Sequence, residues 1–388
     1  MPNLRQLTEC PNGMRLHCPS LRSFLTTDIP EDIQGKVVAL EAGAVTIRWT
    51  NDIEGFGSEH LTTIPASTLR ELFDVYAHTP VRPVEWTAAD FEGDCKDITF
   101  DEYLQSDAKL DQVLRQLRKY GLAFISNVPE SEECVAKIAE RVGPVKNTLY
   151  GYTWDVRSVP DATNVAYTSK DLGFHMDLLP MALVPQLQFL HCIRSSAKGG
   201  NSLFTDAYTA AQQLWREDPN AFLDLCDIPV IFHYDHPESH LYRRISPVLD
   251  VHFAEKGQDR LTEYGSNIPI NRIFWSPPFQ GPFEYPRKLS PAGVDLSTGA
   301  DVWAFGNSIA RWRSAAAKFN ALIHQQANIH QRLMKPGECV IFVNNRVLHA
   351  RTAFEVDDAG KERWLRGCYV DSDVWLSKEK VLERKLRQ

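Results

Sequence analysis

The sequence has 388 residues, a mass of 44.1 kDa, a formal charge of −8 and a pI near 5.9. This acidic balance disfavours a general nucleic-acid-binding protein, because such a protein needs a basic surface. The N-terminus lacks an apolar signal-peptide core, and no apolar run reaches eighteen residues, so we expect neither secretion nor a membrane span. Eight dispersed cysteines do not match a disulfide scaffold. We therefore expect a cytoplasmic globular protein of about two domains.

The N-terminal segment is predicted to form a small mixed α/β domain. Apolar and β-branched residues over 36–50 predict a β-hairpin, and residues 65–77 predict a short helix. A loop rich in proline follows and ends near residue 95. We predict an N-terminal domain over 1–95 and a larger domain over 96–388.

The larger domain begins with helical patterns. Residues 108–120 predict an amphipathic helix that ends at Gly121, and a strand is predicted over 122–125. Ser131 is placed to cap a second helix that ends before Gly143.

From about residue 145 onward, short apolar runs alternate with turn residues. Strands are predicted at 186–193, 202–206 and 339–343, and one longer helix is predicted at 309–328. The charge-rich run 378–387 predicts a helix with a solvated face. Many short strands separated by turns favour a barrel or jelly roll over a parallel sheet.

The triplet His175-Met176-Asp177 is the first candidate site. On an extended segment, residues i and i+2 point to the same side, so this His and Asp can bind one metal ion. A second histidine from elsewhere would complete a two-His, one-carboxylate set, which suits non-haem Fe(II) and leaves coordination positions open. A hydrogen-bonded core pair is the alternative interpretation. The triplet His233-Tyr234-Asp235 shows that such spacing also arises by chance, and we interpret that triplet as structural.

Two further segments supply the remaining candidates. His349 follows the predicted strand 339–343 and a polar turn, and Arg363 follows fourteen residues later. An arginine on a neighbouring strand can bind the distal carboxylate of a 2-oxo diacid through two parallel hydrogen bonds. Ser202, in a Gly-Gly-Asn-Ser segment, offers a hydroxyl to the same carboxylate. The alternatives are a structural histidine at a strand end and a surface salt bridge for the arginine.

In their order along the chain, these motifs resemble the γ-butyrobetaine and trimethyllysine hydroxylases, within the taurine-dioxygenase-like Fe(II)/2-oxoglutarate oxygenases. The resemblance is carried by residues 150–154, 161–168, 174–177, 190–193, 199–202, 344–354 and 363–371. It implies an α+β fold with a double-stranded β-helix (jelly-roll) core. It also implies that His175, Asp177 and His349 bind iron and that Arg363 binds 2-oxoglutarate.

The activity that the resemblance implies is oxidation of an aliphatic C–H bond. The cofactors would be Fe(2+), 2-oxoglutarate as co-substrate and ascorbate as reductant, with release of succinate and CO2. The substrate would be a small amino acid or a betaine such as γ-butyrobetaine. The resemblance further implies a homodimer.

The substrate pocket is expected to contain an aromatic cage for a quaternary ammonium group. The matching positions are Tyr150, Trp154, Tyr167 and Tyr369. Cation–π attraction is worth about 0.5–2 kcal/mol per well-placed ring, and ordinary core packing is the alternative. Asn164 and its neighbours resemble the γ-butyrobetaine enzymes more than the trimethyllysine enzymes.

The sequence also departs from the family. The region 272–283 lacks the asparagine pair expected to hold a substrate carboxylate, although Ser276 or Gln280 can substitute. This departure motivates a second hypothesis, a paralogue in specialised biosynthesis that oxidises a free amino acid by hydroxylation, desaturation or ring closure such as aziridine formation. A non-catalytic binding protein or sensor with the same fold is the third hypothesis.

The family's structural zinc site is eroded in this sequence. The histidine is matched by His60, but the cysteine cluster is reduced to Cys10 and Cys18, with His17 beside them. These residues can still form a tetrahedral Zn(2+) site. A lost zinc ion with a retained fold is the favoured expectation.

Overall fold

The computed structural model describes most of the chain in two compact units, Met1–Pro80 and Val81–Gln388. The boundary therefore lies before the predicted position at residue 95. The difference arises because Trp86 belongs to the core of the larger unit, where its indole Nε1–H donates to the Tyr120 carbonyl at 2.8 Å. The described residues are 26–41, 43–57, 59–66, 68–69, 83–157, 170–196, 198–236, 238–251, 265–283, 300–355 and 363–386.

The smaller unit contains a three-stranded antiparallel sheet. Its strands, in spatial order, are β1 (Gly35–Glu41), β2 (Ala44–Trp49) and β3 (Leu61–Pro65), which confirms the predicted hairpin. Ile47 and Ile64 project from β2 and β3 into a small apolar core. Most of the helix predicted at 65–77 lies outside the described residues, so the mixed α/β character of this unit stays a prediction.

The larger unit combines eight described helices with fourteen strands. The helices are α1 (Ala88–Asp94), α2 (Phe100–Gln105), α3 (Asp107–Tyr120), α4 (Cys134–Val142), α5 (Ala207–Glu217), α6 (Pro219–Asp227), α7 (Ala300–Ile323) and α8 (Ser372–Leu386). The strands are β4 (Ile98–Thr99), β5 (Leu122–Ser126), β6 (Trp154–Val156), β7 (Leu172–His175), β8 (Leu187–Arg194), β9 (Ser202–Asp206), β10 (Val230–His236), β11 (His240–Ser246), β12 (Leu249–Val251), β13 (Ile270–Ile273), β14 (His330–Arg332), β15 (Glu338–Val343), β16 (Val347–Arg351) and β17 (Trp364–Val370).

Two sheets of these strands form the core. One has six strands in the order β4-β5-β15-β8-β17-β6, and the other has four in the order β14-β9-β16-β7. Apart from the parallel pair of β4 and β5, neighbouring strands in both sheets are antiparallel. Residues of both sheets line one shared cavity. This α+β, two-sheet arrangement is the one expected of the predicted jelly roll.

Strand alternation explains why a cavity lies between the sheets. In β8, Leu187 and Phe189 pack into the same apolar core as helices α3 and α4, whereas Gln188 and Leu190 line the cavity. Successive side chains of a strand point to opposite faces, so one strand contributes to both regions. In β16, Leu348 packs into the core that contains α5, α6 and α7, and His349 faces the cavity.

The helix predictions are confirmed in part. Helix α3 begins after Ser106, whose side chain accepts from the backbone of Lys109, and it ends at Gly121 with φ +76°. Helix α7 starts and ends earlier than the predicted 309–328. The predicted cap at Ser131 is wrong, because α4 begins at Cys134.

The C-terminal helix differs most from its prediction. Helix α8 begins at Ser372, and Trp375, Glu379 and Leu382 are buried. The charged face is solvated, but the opposite face packs toward α3, where Arg118 lies 5.3 Å from the Trp375 ring. In the described part of the chain, no helix is long and apolar enough to cross a membrane.

Candidate active site

Two histidines and an aspartate meet on the inner face of the four-stranded sheet. His349 in β16 lies directly opposite His175, the last residue of β7, and Asp177 follows two residues later. One ligand atom from each residue lies within 4.8 Å of the others. His175 Nε2 is 3.3 Å from Asp177 Oδ1, and His349 Nε2 is 3.8 Å from Asp177 Oδ2. Among the described residues, this is the one such group of His, Cys, Asp and Glu able to hold a metal ion.

The hydrogen bonding and electrostatics of the group fit a divalent cation. His175 Nδ1 lies 2.8 Å from the Gly173 carbonyl, to which its N–H donates, so the lone pair of Nε2 faces Asp177. Burial lowers the pKa of His349 to about 3, which keeps this imidazole neutral at physiological pH. Burial alone would raise the pKa of Asp177, but His175, His349 and the Tyr369 hydroxyl together lower it below its ordinary value. Two imidazoles beside one carboxylate suit a borderline cation such as Fe(II).

A buried cation lies in the same cavity. Arg363 immediately precedes β17 and is only 5% exposed, yet no carboxylate in the described part of the chain pairs with it. Burial and the positive charge of Arg351 lower the pKa of Arg363 to about 10, which still leaves the guanidinium charged at neutral pH. A buried charge without a counter-ion is costly, so an anionic ligand would stabilise this site.

The remaining walls of this cavity are mainly apolar. Leu172, Leu190, Phe204 and Leu365 contribute apolar surface, and Ser202 contributes a hydroxyl. The cavity thus has a metal-binding group, a buried guanidinium and apolar sides between them. This combination fits 2-oxoglutarate, which has a chelating 2-oxo acid at one end and a second carboxylate at the other.

Glycine makes room for the buried arginine. Gly200 has φ +74°, a conformation that side-chain-bearing residues rarely adopt. A Cβ atom at Gly200 would lie 2.5 Å from Ser196 Oγ and 3.3 Å from Arg363 Cδ. The Gly-Gly segment before Ser202 therefore lets the loop pass close to Arg363.

A second cavity is also lined by Asp177. Tyr150, Tyr234, Tyr242 and Phe279 line it together with apolar residues that follow Asp177. The Tyr150 and Tyr234 rings meet edge to face at 6.4 Å and 89°. The position beside a metal ligand marks this cavity as the candidate substrate pocket.

Sequence reasoning missed the hairpin that supplies two of these rings. Strands β10 and β11 carry Tyr234 and Tyr242, which face each other across the hairpin. The triplet at 233–235 lies on this hairpin, and its Asp235 is exposed, so the structural interpretation of the triplet stays a prediction. An alternating aromatic pattern around that triplet was the one available signal.

The predicted cage residues are divided between the two cavities. Tyr150 lines the candidate substrate pocket, whereas Trp154 lines the cavity that contains Arg363. Tyr369 is fully buried and stacks on Trp154, with ring centroids 5.4 Å apart and planes 25° apart. Asn164 and Tyr167 lie outside the described residues.

The substitutes proposed for the missing asparagine pair do not line either cavity. Ser276 is buried, and Gln280 forms an isolated bridge with Phe232. The wall position between them is taken by Phe279.

The zinc hypothesis is only partly covered by the structure. His60 Nδ1 lies 2.7 Å from Asp52 Oδ2, and its ring lies 4.8 Å from that of Phe56. Cys10, Cys18 and His17 lie outside the described residues. The zinc site and the homodimer therefore stay predictions.

Together, the two sheets, the group of His175, Asp177 and His349 and the buried arginine form the arrangement expected of a mononuclear metal site with an adjoining anion pocket. Residues 79–369 match the family model described as "Taurine catabolism dioxygenase TauD, TfdA family". Since this match spans most of the chain, the protein belongs to the TauD/TfdA dioxygenase family.

Curated relatives narrow the position within the family. The chain is 32% identical to "Dioxygenase str8" of Strobilurus tenacellus, over 98% of this chain and 84% of that protein. It is 29% identical to a γ-butyrobetaine dioxygenase of Pseudomonas sp. (strain AK-1), over 93% of this chain and 84% of the relative. It is 26% identical to a trimethyllysine dioxygenase of Meyerozyma guilliermondii, over 76% of this chain and 67% of the relative. The predicted class is confirmed: the chain is a divergent Fe(II)/2-oxoglutarate-dependent dioxygenase of the γ-butyrobetaine and trimethyllysine hydroxylase group.

Proposed function

We propose that this dioxygenase oxidises an aliphatic C–H bond of a small amino acid or betaine, with γ-butyrobetaine as the first substrate to test. One observation carries the proposal. The group of His175, Asp177 and His349 shares a cavity with Arg363, which is buried and has no carboxylate partner among the described residues. The two histidines and the aspartate suit Fe(II), and the Arg363 guanidinium suits the distal carboxylate of 2-oxoglutarate.

Each part of the cavity has a distinct task in this reaction. His175, Asp177 and His349 would hold Fe(II), which when bound supplies dioxygen activation coupled to conversion of 2-oxoglutarate into succinate and CO2. Arg363 binds the distal carboxylate and so directs the 2-oxo end toward the triad. The apolar walls exclude water from the reacting groups.

The lining of the candidate substrate pocket favours a substrate with a cationic head group. Its described wall carries three tyrosines and Phe279, and its charged member is Asp177. Aromatic faces attract a trimethylammonium group, which has no hydrogen-bond donor to satisfy. Tyr150 is the position shared by the predicted cage and this pocket.

The second candidate function is the same chemistry on a different substrate. From the region where an asparagine pair was expected, Phe279 lines the pocket, and the described wall carries no lysine or arginine. This departure from the γ-butyrobetaine pattern favours a paralogue of specialised biosynthesis that acts on another small amine or amino acid.

Succinate formation tests the proposal. The purified protein is incubated with Fe(II), ascorbate and 2-oxoglutarate, and succinate is followed across γ-butyrobetaine, trimethyllysine, free aliphatic amino acids and taurine. We expect turnover stimulated by a betaine or an amino acid, abolished by Asp177→Ala. Asp235→Ala is the matched control, because it removes the exposed carboxylate of the other His-x-Asp triplet.

The outcomes separate the alternatives. Stimulation by unmethylated amino acids alone would replace the betaine proposal with the second candidate. Stimulation by taurine alone would contradict both substrate proposals. Stimulated turnover that survives Asp177→Ala would contradict the assignment of the triad.

A further inference from the structure

The carboxylate of Asp177 is held on one side by two side chains. The Tyr369 hydroxyl donates to Oδ2 at 2.9 Å, and the Gln188 side-chain amide donates to the same oxygen at 2.8 Å. The backbone of Asp177 is held as well, because Asn344 accepts from its N–H at 2.9 Å and donates to its carbonyl at 2.8 Å. These protein groups therefore fix both the position and the orientation of the Asp177 carboxylate.

The sheet register explains why two donors reach one oxygen. Tyr369 in β17 and Gln188 in β8 are directly opposite each other in an antiparallel pair. Directly opposed residues project to the same face with their Cβ atoms about 5 Å apart. Both side chains are fully buried, so their orientations are fixed by packing.

Both hydrogen bonds go to Oδ2, and neither Tyr369 nor Gln188 donates to Oδ1. Oδ1 is also the oxygen that lies 3.3 Å from His175 Nε2. We infer that Tyr369 is a positioning residue of the metal site, which together with Gln188 restricts Asp177 to binding through one oxygen. Binding through both oxygens would occupy an additional coordination position that the 2-oxo acid and dioxygen need.

This inference rests on the proposed function and changes the expected role of Tyr369. As a member of the substrate cage, Tyr369 would present its ring face to a cation. Instead, Trp154 stacks on that ring, and the hydroxyl is directed at Asp177. Phenylalanine at this position keeps the stacked ring and removes only the hydroxyl.

Metal affinity of the full-length protein tests the inference without any knowledge of the substrate. Co(II) is titrated anaerobically into metal-free native protein and Tyr369→Phe, and its visible absorption bands report affinity and coordination. We expect the Co(II) dissociation constant to rise about tenfold in Tyr369→Phe, with altered bands, since outer partners of metal ligands typically contribute 10–100-fold. Gln188→Met should act in the same direction.

Tyr103→Phe is the matched control. Tyr103 is also fully buried, and its hydroxyl donates to the Ile138 carbonyl at 3.0 Å, outside the two cavities. We expect this variant to bind Co(II) like the native protein. If Tyr369→Phe does not fold, as judged by circular dichroism of the metal-free protein, Gln188→Met decides the question.

The failures of the two proposals are distinguishable. Native protein that binds no Co(II) at the triad would overturn the proposed function and this inference with it. Native binding together with unchanged affinity and bands in the folded Tyr369→Phe protein would overturn the positioning role alone.

Discussion

His349 lies directly opposite His175 in the antiparallel pairing of β16 with β7, with ring centroids 4.1 Å apart. The register of one strand pair therefore brings together two residues that are separated by 174 positions in the chain. A slip of one residue would turn His349 to the other face of its sheet. Because Leu348 and Ala350 are buried in the core on either side, apolar packing fixes this register and hence the metal site.

Arg363→Met should weaken the binding of 2-oxoglutarate without lowering the stability of the ligand-free protein. Each of the two charge-assisted hydrogen bonds to the distal carboxylate is worth about 1.5–3 kcal/mol, so loss of the guanidinium should raise the KM for 2-oxoglutarate by at least about 100-fold. The same change removes a buried charge that has no carboxylate partner among the described residues, so the ligand-free variant should be at least as stable as the native protein. Steady-state kinetics and thermal unfolding measure the two effects. A large loss of ligand-free stability with an unchanged KM would contradict this role.

Tyr234→Leu should affect the substrate and not the co-substrate. Tyr234 lines the pocket beside Asp177, and its ring contacts that of Tyr150. We expect the KM of the substrate to rise several-fold, while the affinity for 2-oxoglutarate stays unchanged. Leu241→Ala, at a 74% exposed position of the same hairpin, is the control and should leave both constants unchanged. Equal effects of both variants would indicate a general role of the hairpin.

Gly367→Ala should displace Trp154. A Cβ atom at Gly367 would lie 2.5 Å from Trp154 Cζ2, so the indole, which stacks on Tyr369, has to move. Overpacking of this kind costs about 1–3 kcal/mol of stability, and the KM for 2-oxoglutarate should rise because Trp154 lines that cavity.

Gly306→Ala provides the comparison for Gly367→Ala. Gly306 is exposed within α7, and a Cβ atom there meets nothing within 4 Å. This change should stabilise the protein by about 1 kcal/mol through helix propensity and leave the kinetics unchanged. Chemical unfolding and steady-state kinetics on both variants provide the test, and similar effects of the two would contradict the assigned packing.

Glu379 should make stability depend on pH. Burial raises the pKa of its carboxyl from 4.5 to about 7, although the Arg118 guanidinium lies 3.2 Å away and opposes the shift. A raised carboxyl pKa gives a stability contribution that is present below pH 4.5 and is lost as pH rises to about 7. Glu379→Gln should therefore match the native protein near pH 4.5 and be more stable at pH 8, by on the order of 3 kcal/mol. Urea unfolding at both pH values checks this, and equal stability at pH 8 would contradict it.

Local patterns were sufficient to predict part of the site. His175 and Asp177 are two residues apart on an extended segment, so sequence spacing alone places them together. His349 and Arg363 followed from the family motifs, and the structure places both in the cavity with the first two residues.

The remaining features depend on pairing between distant segments. Gln188 lies beside Tyr369 only because β8 pairs with β17 in one particular register, and Tyr234 reaches the candidate substrate pocket through a hairpin that was not predicted. The predicted solvated face of α8 is present, but its buried face was not predicted, for a similar reason. Its charge content gave no indication of the α3 surface that buries Trp375 and Glu379.

The most direct test of the central claim is an anaerobic titration of 2-oxoglutarate into the Fe(II)-loaded protein. Chelation of Fe(II) by a 2-oxo acid gives a visible charge-transfer absorption band, and no substrate is needed to observe it. We predict this band in the native protein and in Asp235→Ala, and its loss in Asp177→Ala. A band that persists unchanged in Asp177→Ala, or that never forms in the native protein, would contradict the assignment of His175, Asp177, His349 and Arg363 as the iron and 2-oxoglutarate site.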